Sequence, residues 1–218
     1  MNILNNLIAG GAWQTISKGL LVTVQISALG IILGTALGAL FCAARLSANK
    51  IINIPVKIII SFLRGTPVLL LLMVIYFVVF SNIRVDAVLI AVLAFGLNSG
   101  AHIGEIMRAA LAGIDKMQVE AARMLGASKT MAFWYIALPQ AAKIAKPVYQ
   151  NAVISTIQWT SVVGYVAIAD LTRVVNNMGS RSGDPFLALF LGMLLYLAIS
   201  YLVNGIFLLS ERRAKRYG

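Results

Sequence analysis

The chain has 218 residues, of which 60% are hydrophobic and only 11% charged, too few charges to cover the surface of a soluble domain of this size. Its net charge of +11 would suit nucleic acid in a soluble protein, but the basic residues cluster in gaps between apolar segments, which points to a lipid bilayer and away from nucleic acid. The single cysteine, Cys42, allows no disulfide within the chain, and a zinc site has too few ligands.

No basic residue precedes Lys18, so the start of the chain lacks the charged region of a cleavable signal peptide, and the first span is expected to be retained. Residues 1–17 read as an external segment, an interfacial helix anchored by Trp13. A bilayer core about 30 Å thick needs roughly 20 apolar residues in a helix. On that measure the spans are 19–44, 55–83, 87–111, 147–169 and 185–210, with Lys57 and Arg64 snorkelling from the start of the second. Lys18, Arg84, Arg173 and Arg181 fall on one side of such a bundle and the other fourteen basic residues on the opposite side. The richer side is cytoplasmic by the positive-inside rule, which places the N-terminus outside and the C-terminus inside. The expected fold is therefore an all-α integral membrane protein, one transmembrane domain over residues 1–218, with a cytoplasmic loop over about 112–146.

Span one carries Gly30, Gly34 and Gly38, and span three carries Gly96, Gly100 and Gly104. Each set is a doubled small-xxx-small pattern that lets another helix approach closely, against the plainer reading that glycine is simply common in membrane helices. In span two, Pro67 disfavours helix at Thr66 and removes a backbone donor, and Gly65 loosens the same turn, so a break is expected over Arg64, Gly65, Thr66 and Pro67. The alternative is a plain helix start with Arg64 at the headgroups. Asn98, His102 and Glu105 share one face of span three, roughly opposite its glycines. For Glu105 an ion pair with Arg108, one turn on, is the favoured reading. Asn98 and His102 can either hydrogen-bond between helices or line a pathway.

In the loop, residues 118–125 read as a short helix with Glu120 and Arg123 exposed and Val119 and Ala122 on the other side. Gly126 can end it in a left-handed cap, Ser128 can cap a second helix beginning at Lys129, and Pro139 limits how far that helix runs. The result is either a knob suited to docking into another protein or a surface helix lying on headgroups through Lys129, Phe133, Trp134 and Tyr135. Span four has Ser155, Thr156, Gln158, Trp159, Thr160 and Ser161 at its middle, where polar groups need partners or a wet cavity and where tryptophan is out of its usual interfacial place. Polar contacts between helices and a ligand cavity both account for them. The cluster suits a small polar or zwitterionic ligand better than a metal ion, and it holds no acid–base pair for catalysis.

The string Glu120, Ala121, Ala122, three residues, Gly126, nine residues, Ile136, one residue, Leu138, Pro139 resembles the coupling-loop signature of ABC importer permeases. Arg64 to Pro67, Glu105 with Arg108, Gln140 and Ala141 after the proline, and Thr160 and Ser161 followed by Asp170 and Leu171 are similar to the polar amino-acid branch of that family. The resemblance covers about residues 15–210. It implies one half of a transmembrane dimer, paired with an identical or homologous permease. The helix around Glu120 to Gly126 would enter a cleft of a cytoplasmic ATP-binding subunit, and an extracytoplasmic binding protein would deliver the amino acid. Alternating access would then be driven by ATP at the partner. Met117 stands where this branch commonly has glycine, and His102 where an aromatic is frequent. Gln158 and Trp159 replace a Lys-Asp pair found in many members; an acidic residue there could select a cationic amino acid, which Trp159 cannot do by charge.

The chain is expected to bind no cofactor and to have no nucleotide site of its own. The run from Gly126 to Thr130 is only faintly similar to a phosphate loop, because Ser128 replaces the glycine before Lys129 and no glycine stands at Ala121. A channel would be expected to repeat charged or carbonyl-rich filter segments, and a membrane enzyme would need clustered nucleophiles, metal ligands or paired acids; one histidine and scattered carboxylates supply neither. Within the importer class, the runner-up cargo is another small zwitterion or an osmolyte.

Overall fold

The computed structural model describes residues 12–216, so the expectation for residues 1–17 falls mostly outside the described residues. The described residues form helices and no strand. Helix α1 (Ala12–Leu46) is a single run of 35 residues, about 50 Å long at helical rise. Asn49 caps α2 (Lys50–Gly65) by accepting from the Ile51 amide at 2.9 Å. Asn53 reaches back to the orphan carbonyls of Arg45 at 2.6 Å and Ser47 at 3.2 Å. After the break at Thr66 and Pro67 comes α3 (Val68–Val74), which opens into a π-helical turn over Ile75–Val79. Helix α4 (Ala87–Ala112) begins where the Asp86 carboxylate accepts from the Val88 amide at 2.7 Å.

Two short helices follow, α5 (Lys116–Met124) and α6 (Lys129–Ala132). Helix α6 does not stop before Pro139, as the sequence suggests it should. It passes through a π-helical turn, Phe133–Ala137, into α7 (Leu138–Trp159). Pro139 has no amide hydrogen and its ring crowds the carbonyl four residues earlier; the widened turn just before it relieves that conflict and lets the helix continue. A 3₁₀ segment, Thr160–Val166, follows α7, then Ala167 in the left-handed region at φ 63°, then α8 (Leu171–Ser182) and α9 (Pro185–Arg216).

The chain divides into two compact units. The described part of one comprises residues 12–31, 67–95 and 153–216; the other comprises Ile32–Thr66 and Gly96–Ala152. In the first, Ile16, Leu171, Val174, Val175 and Ala188 form a buried cluster against which Leu191, Leu195 and Tyr196 pack. In the second, Ala110, Ile114, Ala137 and Ala141 form a cluster that also takes Val119 of α5, which is what ties the short helix down. Also in the second unit, Gly34 and Gly38 of α1 meet Gly100 and Gly104 of α4. A β-carbon on Gly38 would sit 2.8 Å from Ile103 Cγ2, and one on Gly104 would sit 3.0 Å from the Gly38 carbonyl oxygen. Gly34 and Gly38 on one side and Gly100 and Gly104 on the other are thus two sides of one close helix contact.

Long apolar side chains cover much of the outer surface, including Ile51, Ile54, Ile58 and Phe62 on α2 and Leu189, Met193, Leu197 and Leu202 on α9. Such surfaces suit lipid or a partner rather than water. Three helices, Trp13–Leu46, Ala87–Ala112 and Ala188–Ser210, are long and apolar enough to cross a membrane, or up to five spans if each of two bent pairs counts once.

Candidate functional site

The loop between α4 and α7 is shaped by three caps. Asp115 accepts from the Met117 amide at 2.9 Å and starts α5. Gly126, at φ 94°, ends it: the Gly126 amide donates to the Arg123 carbonyl at 3.0 Å and the Ala127 amide to the Ala122 carbonyl at 3.1 Å, the paired bonds of a Schellman turn. Ser128 then accepts from the Met131 amide at 3.2 Å and starts α6. Each cap contributes about 0.5–2 kcal/mol, which a nine-residue helix needs because it would not persist alone. Gln140 Nε2 donates to Gln118 Oε1 at 2.8 Å across the loop. Glu120 and Ala121 are exposed and Ala122 is half-buried, on the side of Val119. Leu138 is half-buried and Pro139 exposed at the start of α7. At the tip, Met124 and Leu125 are each 90% exposed, which makes the turn an apolar knob.

At the helix break, Thr66 (φ −96°, ψ 132°) and Pro67 (φ −56°, ψ 131°) are extended. Leu63 would ordinarily receive the amide of the fourth residue on, but that residue is Pro67. The side-chain amide of Asn98 takes its place, donating from Nδ2 to the Leu63 carbonyl at 2.9 Å, while Thr66 Oγ1 donates to the Phe62 carbonyl at 2.8 Å. Asn98 is 2% exposed and its Oδ1 has no partner among the described residues. Arg64 is exposed, Gly65 has open space around it, and His102 is half-buried one turn beyond Asn98. Glu105 pairs with Arg108 at 2.9 Å, as its spacing suggests, and also with Arg45 at 3.3 Å, a residue the local spacing could not reveal. Arg45 in turn donates to Asn53 Oδ1, so one carboxylate joins α1, α4 and the start of α2.

The span-four cluster divides by direction. Gln158 is exposed and Ser161 half-buried, and both line a cavity of about 410 Å³ together with Thr172, Asn176, Tyr196 and Ser200; among the described residues no charged side chain lines it. Thr160 is fully buried and turned inward: its Oγ1 donates to the Ile157 carbonyl at 2.7 Å and lies 3.4 Å from the Tyr196 hydroxyl. Trp159 is half-buried beside it. Below this segment lies Asp170, fully buried. Its carboxylate caps α8 by accepting from the Thr172 amide at 2.9 Å and the Arg173 amide at 3.0 Å, and it accepts the Tyr196 hydroxyl at 3.2 Å. The Leu171 amide donates to Thr23 Oγ1 at 3.1 Å, and Arg173 donates to the Gly164 carbonyl at 3.1 Å. Tyr196 and Thr23 escaped the reading of the sequence. The signal that could have found them is Asp170 itself, a lone carboxylate in a long apolar stretch that must have donors nearby.

Long apolar helices, broken spans, polar groups buried among them and an exposed helical knob define a multi-pass membrane transport component. The match to the family described as binding-protein-dependent transport system inner membrane component runs over residues 19–216, and the chain belongs to that family. It is similar to the probable amino-acid ABC transporter permease protein YckA of Bacillus subtilis, 34% identical over 198 residues covering 90% of this chain and 88% of that protein. It is also similar to the L-cystine transport system permease protein TcyB of the same organism, 30% identical over 214 residues covering 97% and 92%. Among solved structures, an amino acid ABC transporter crystallised with histidines superposes with a TM-score of 0.86 at 28% identity, covering 98% of this chain and 99% of that one.

Proposed function

We propose that this chain is the permease subunit of an ATP-driven importer that carries polar amino acids across the bacterial cytoplasmic membrane by alternating access. Each bent pair of helices then counts as one span, giving five, with the N-terminus outside and the C-terminus in the cytoplasm. The knob around Glu120, Ala121, Ala122 and Gly126 enters a cleft of a cytoplasmic ATP-binding subunit, with Leu138 and Pro139 carrying its motion into α7. A second permease chain completes the transmembrane body, and an extracytoplasmic binding protein delivers the ligand. ATP is bound and hydrolysed by the partner; this chain holds no cofactor and catalyses no reaction itself.

The observation that carries this reading is the triply capped turn that presents Met124, Leu125 and Glu120 outward, a rigid apolar tip with charges beside it and nothing among the described residues to bury against. Such a tip suits a protein cleft, which can bury Met124 and Leu125 while pairing Glu120 and Arg123 at its rim. The relatives' names supply the cargo class, and the cavity beside Gln158 and Ser161 narrows it. A mostly apolar cavity with a few hydroxyls and amides, Gln158, Ser161, Thr172, Asn176 and Ser200 among them, favours an amino acid with an uncharged side chain, and it equally suits another small zwitterion or osmolyte. Asn98 and His102 stand on the pathway face of α4 in this reading.

Replacing Gly126 by Pro in the assembled transporter tests the coupling role. Uptake in proteoliposomes is expected to fall while ATP hydrolysis by the partner persists and membrane insertion is unchanged. Unaltered uptake would refute docking through this turn.

A further inference from the structure

Within the unit of residues 32–66 and 96–152 a separate cavity of about 470 Å³ lies among α1, α4 and α7. Small side chains make the hollow, chiefly Ala39, Ala110, Ala141 and Ala145, and its wall is almost entirely carbon. The two hydroxyls that reach it, Thr35 Oγ1 and Tyr149 Oη, are 2.9 Å apart and bond to each other. Among the described residues one charged side chain lines it, Lys146; it is half-buried, no carboxylate stands beside it in the wall, and its ammonium has no ion pair.

We infer that this cavity binds an anionic phospholipid, with an acyl chain in the hollow and the phosphate at Lys146. The volume lies in the range of small-molecule sites. A carbon wall offers nothing to water or to an amino acid, whose ammonium and carboxylate would be stripped of solvent without replacement partners. A lipid tail loses nothing there, because it leaves one apolar surrounding for another. The lone cation selects among lipids: the lysine stem follows the apolar wall while its ammonium reaches a headgroup, and basic pockets between helices on the cytoplasmic side hold anionic headgroups. Phe133 and Leu138 line the same hollow, from the widened turn and from the first residue of α7. A bound lipid therefore braces the root of the loop whose tip couples to the ATPase. This consequence, and the cytoplasmic leaflet as source, rest on the function and orientation proposed above; the lipid class does not.

The test uses the full-length chain in nanodiscs of equal parts phosphatidylglycerol and phosphatidylcholine, released into native mass spectrometry. Retention of one phosphatidylglycerol in clear excess over phosphatidylcholine is expected, with the preference lost in Lys146→Gln and occupancy lost in Ala39→Phe, which fills the hollow from an exposed position. Cys42, the sole cysteine, lines the cavity and serves as a second reporter: its labelling by a small thiosulfonate should be several-fold slower in phosphatidylglycerol than in phosphatidylcholine. Equal retention of both lipids, or an unchanged preference in Lys146→Gln, overturns the site. Protection of Cys42 that arises only on assembly with a second permease chain assigns the hollow to protein and overturns it as well. Loss of amino-acid uptake with the lipid preference intact would count against the transport reading alone.

Discussion

Pro67 has no hydrogen to give the Leu63 carbonyl, and Asn98 supplies one from another helix at 2.9 Å. If that substitution of donors is the role of Asn98, the two residues are thermodynamically coupled. Asn98→Ala should lower the unfolding midpoint of the detergent-purified protein, by the equivalent of about 1–3 kcal/mol for a buried acceptor left unpaired. In a Pro67→Ala background, where residue 67 regains an amide hydrogen and the helix can close through Thr66 onto the Leu63 carbonyl, most of that loss should disappear. Equal losses in both backgrounds would show that Asn98 acts elsewhere. Asp170 makes a parallel case with three donors. Asp170→Ala strands the Thr172 and Arg173 amides and takes an acceptor from the Tyr196 hydroxyl, at a cost of about 2–3 kcal/mol, while Asp170→Asn keeps an acceptor and should fall between it and the parent in the same melt. If Trp159 lines the pathway of the proposed importer, Trp159→Asp should shift competition profiles toward cationic amino acids, and profiles identical to the parent would remove it from the pathway.

Among elements, the α1–α4 contact has no room for side chains. Gly38→Leu should reduce the folded, monodisperse fraction in size-exclusion chromatography, because a first carbon alone would already meet Ile103 at 2.8 Å; Gly65→Ala, with nothing within 4 Å, should leave it unchanged. Elements of this kind were the legible part of the sequence. Glycines four apart, Ser128 before Lys129, and Gly126 after an amphipathic turn each act through neighbours on the same helix or the next residue, so spacing alone exposes them. The run of α6 into α7 was not legible. Proline reads as a stop, and only the extra residue taken up in the turn Phe133–Ala137 cancels it, a property of backbone geometry with no side-chain signature. The partners of Asp170 and Glu105 were hidden for a different reason. Tyr196 is 26 positions from Asp170, and Arg45 is 60 from Glu105, so no periodicity joins them.

For the whole molecule, composition already required a bilayer, and the family match agrees with it. The division of labour proposed here predicts that the purified chain alone releases no phosphate from ATP above a protein-free control, and that activity appears only with the ATP-binding partner; appreciable turnover by the isolated chain would end that reading. The knob at Met124 and Leu125 has a bearing on the life of the protein before it ever transports anything. Two adjacent apolar side chains held in water form a small sticky patch until a partner covers it, so in the proposed importer an unassembled copy should be open to chaperones and membrane proteases. In the proposed importer, the tip that would transmit work in the finished complex would then also act as a timer during biogenesis. A pulse-chase should find the chain short-lived without its ATP-binding subunit, and longer-lived when Met124 and Leu125 are both replaced by Gln, a variant expected not to couple.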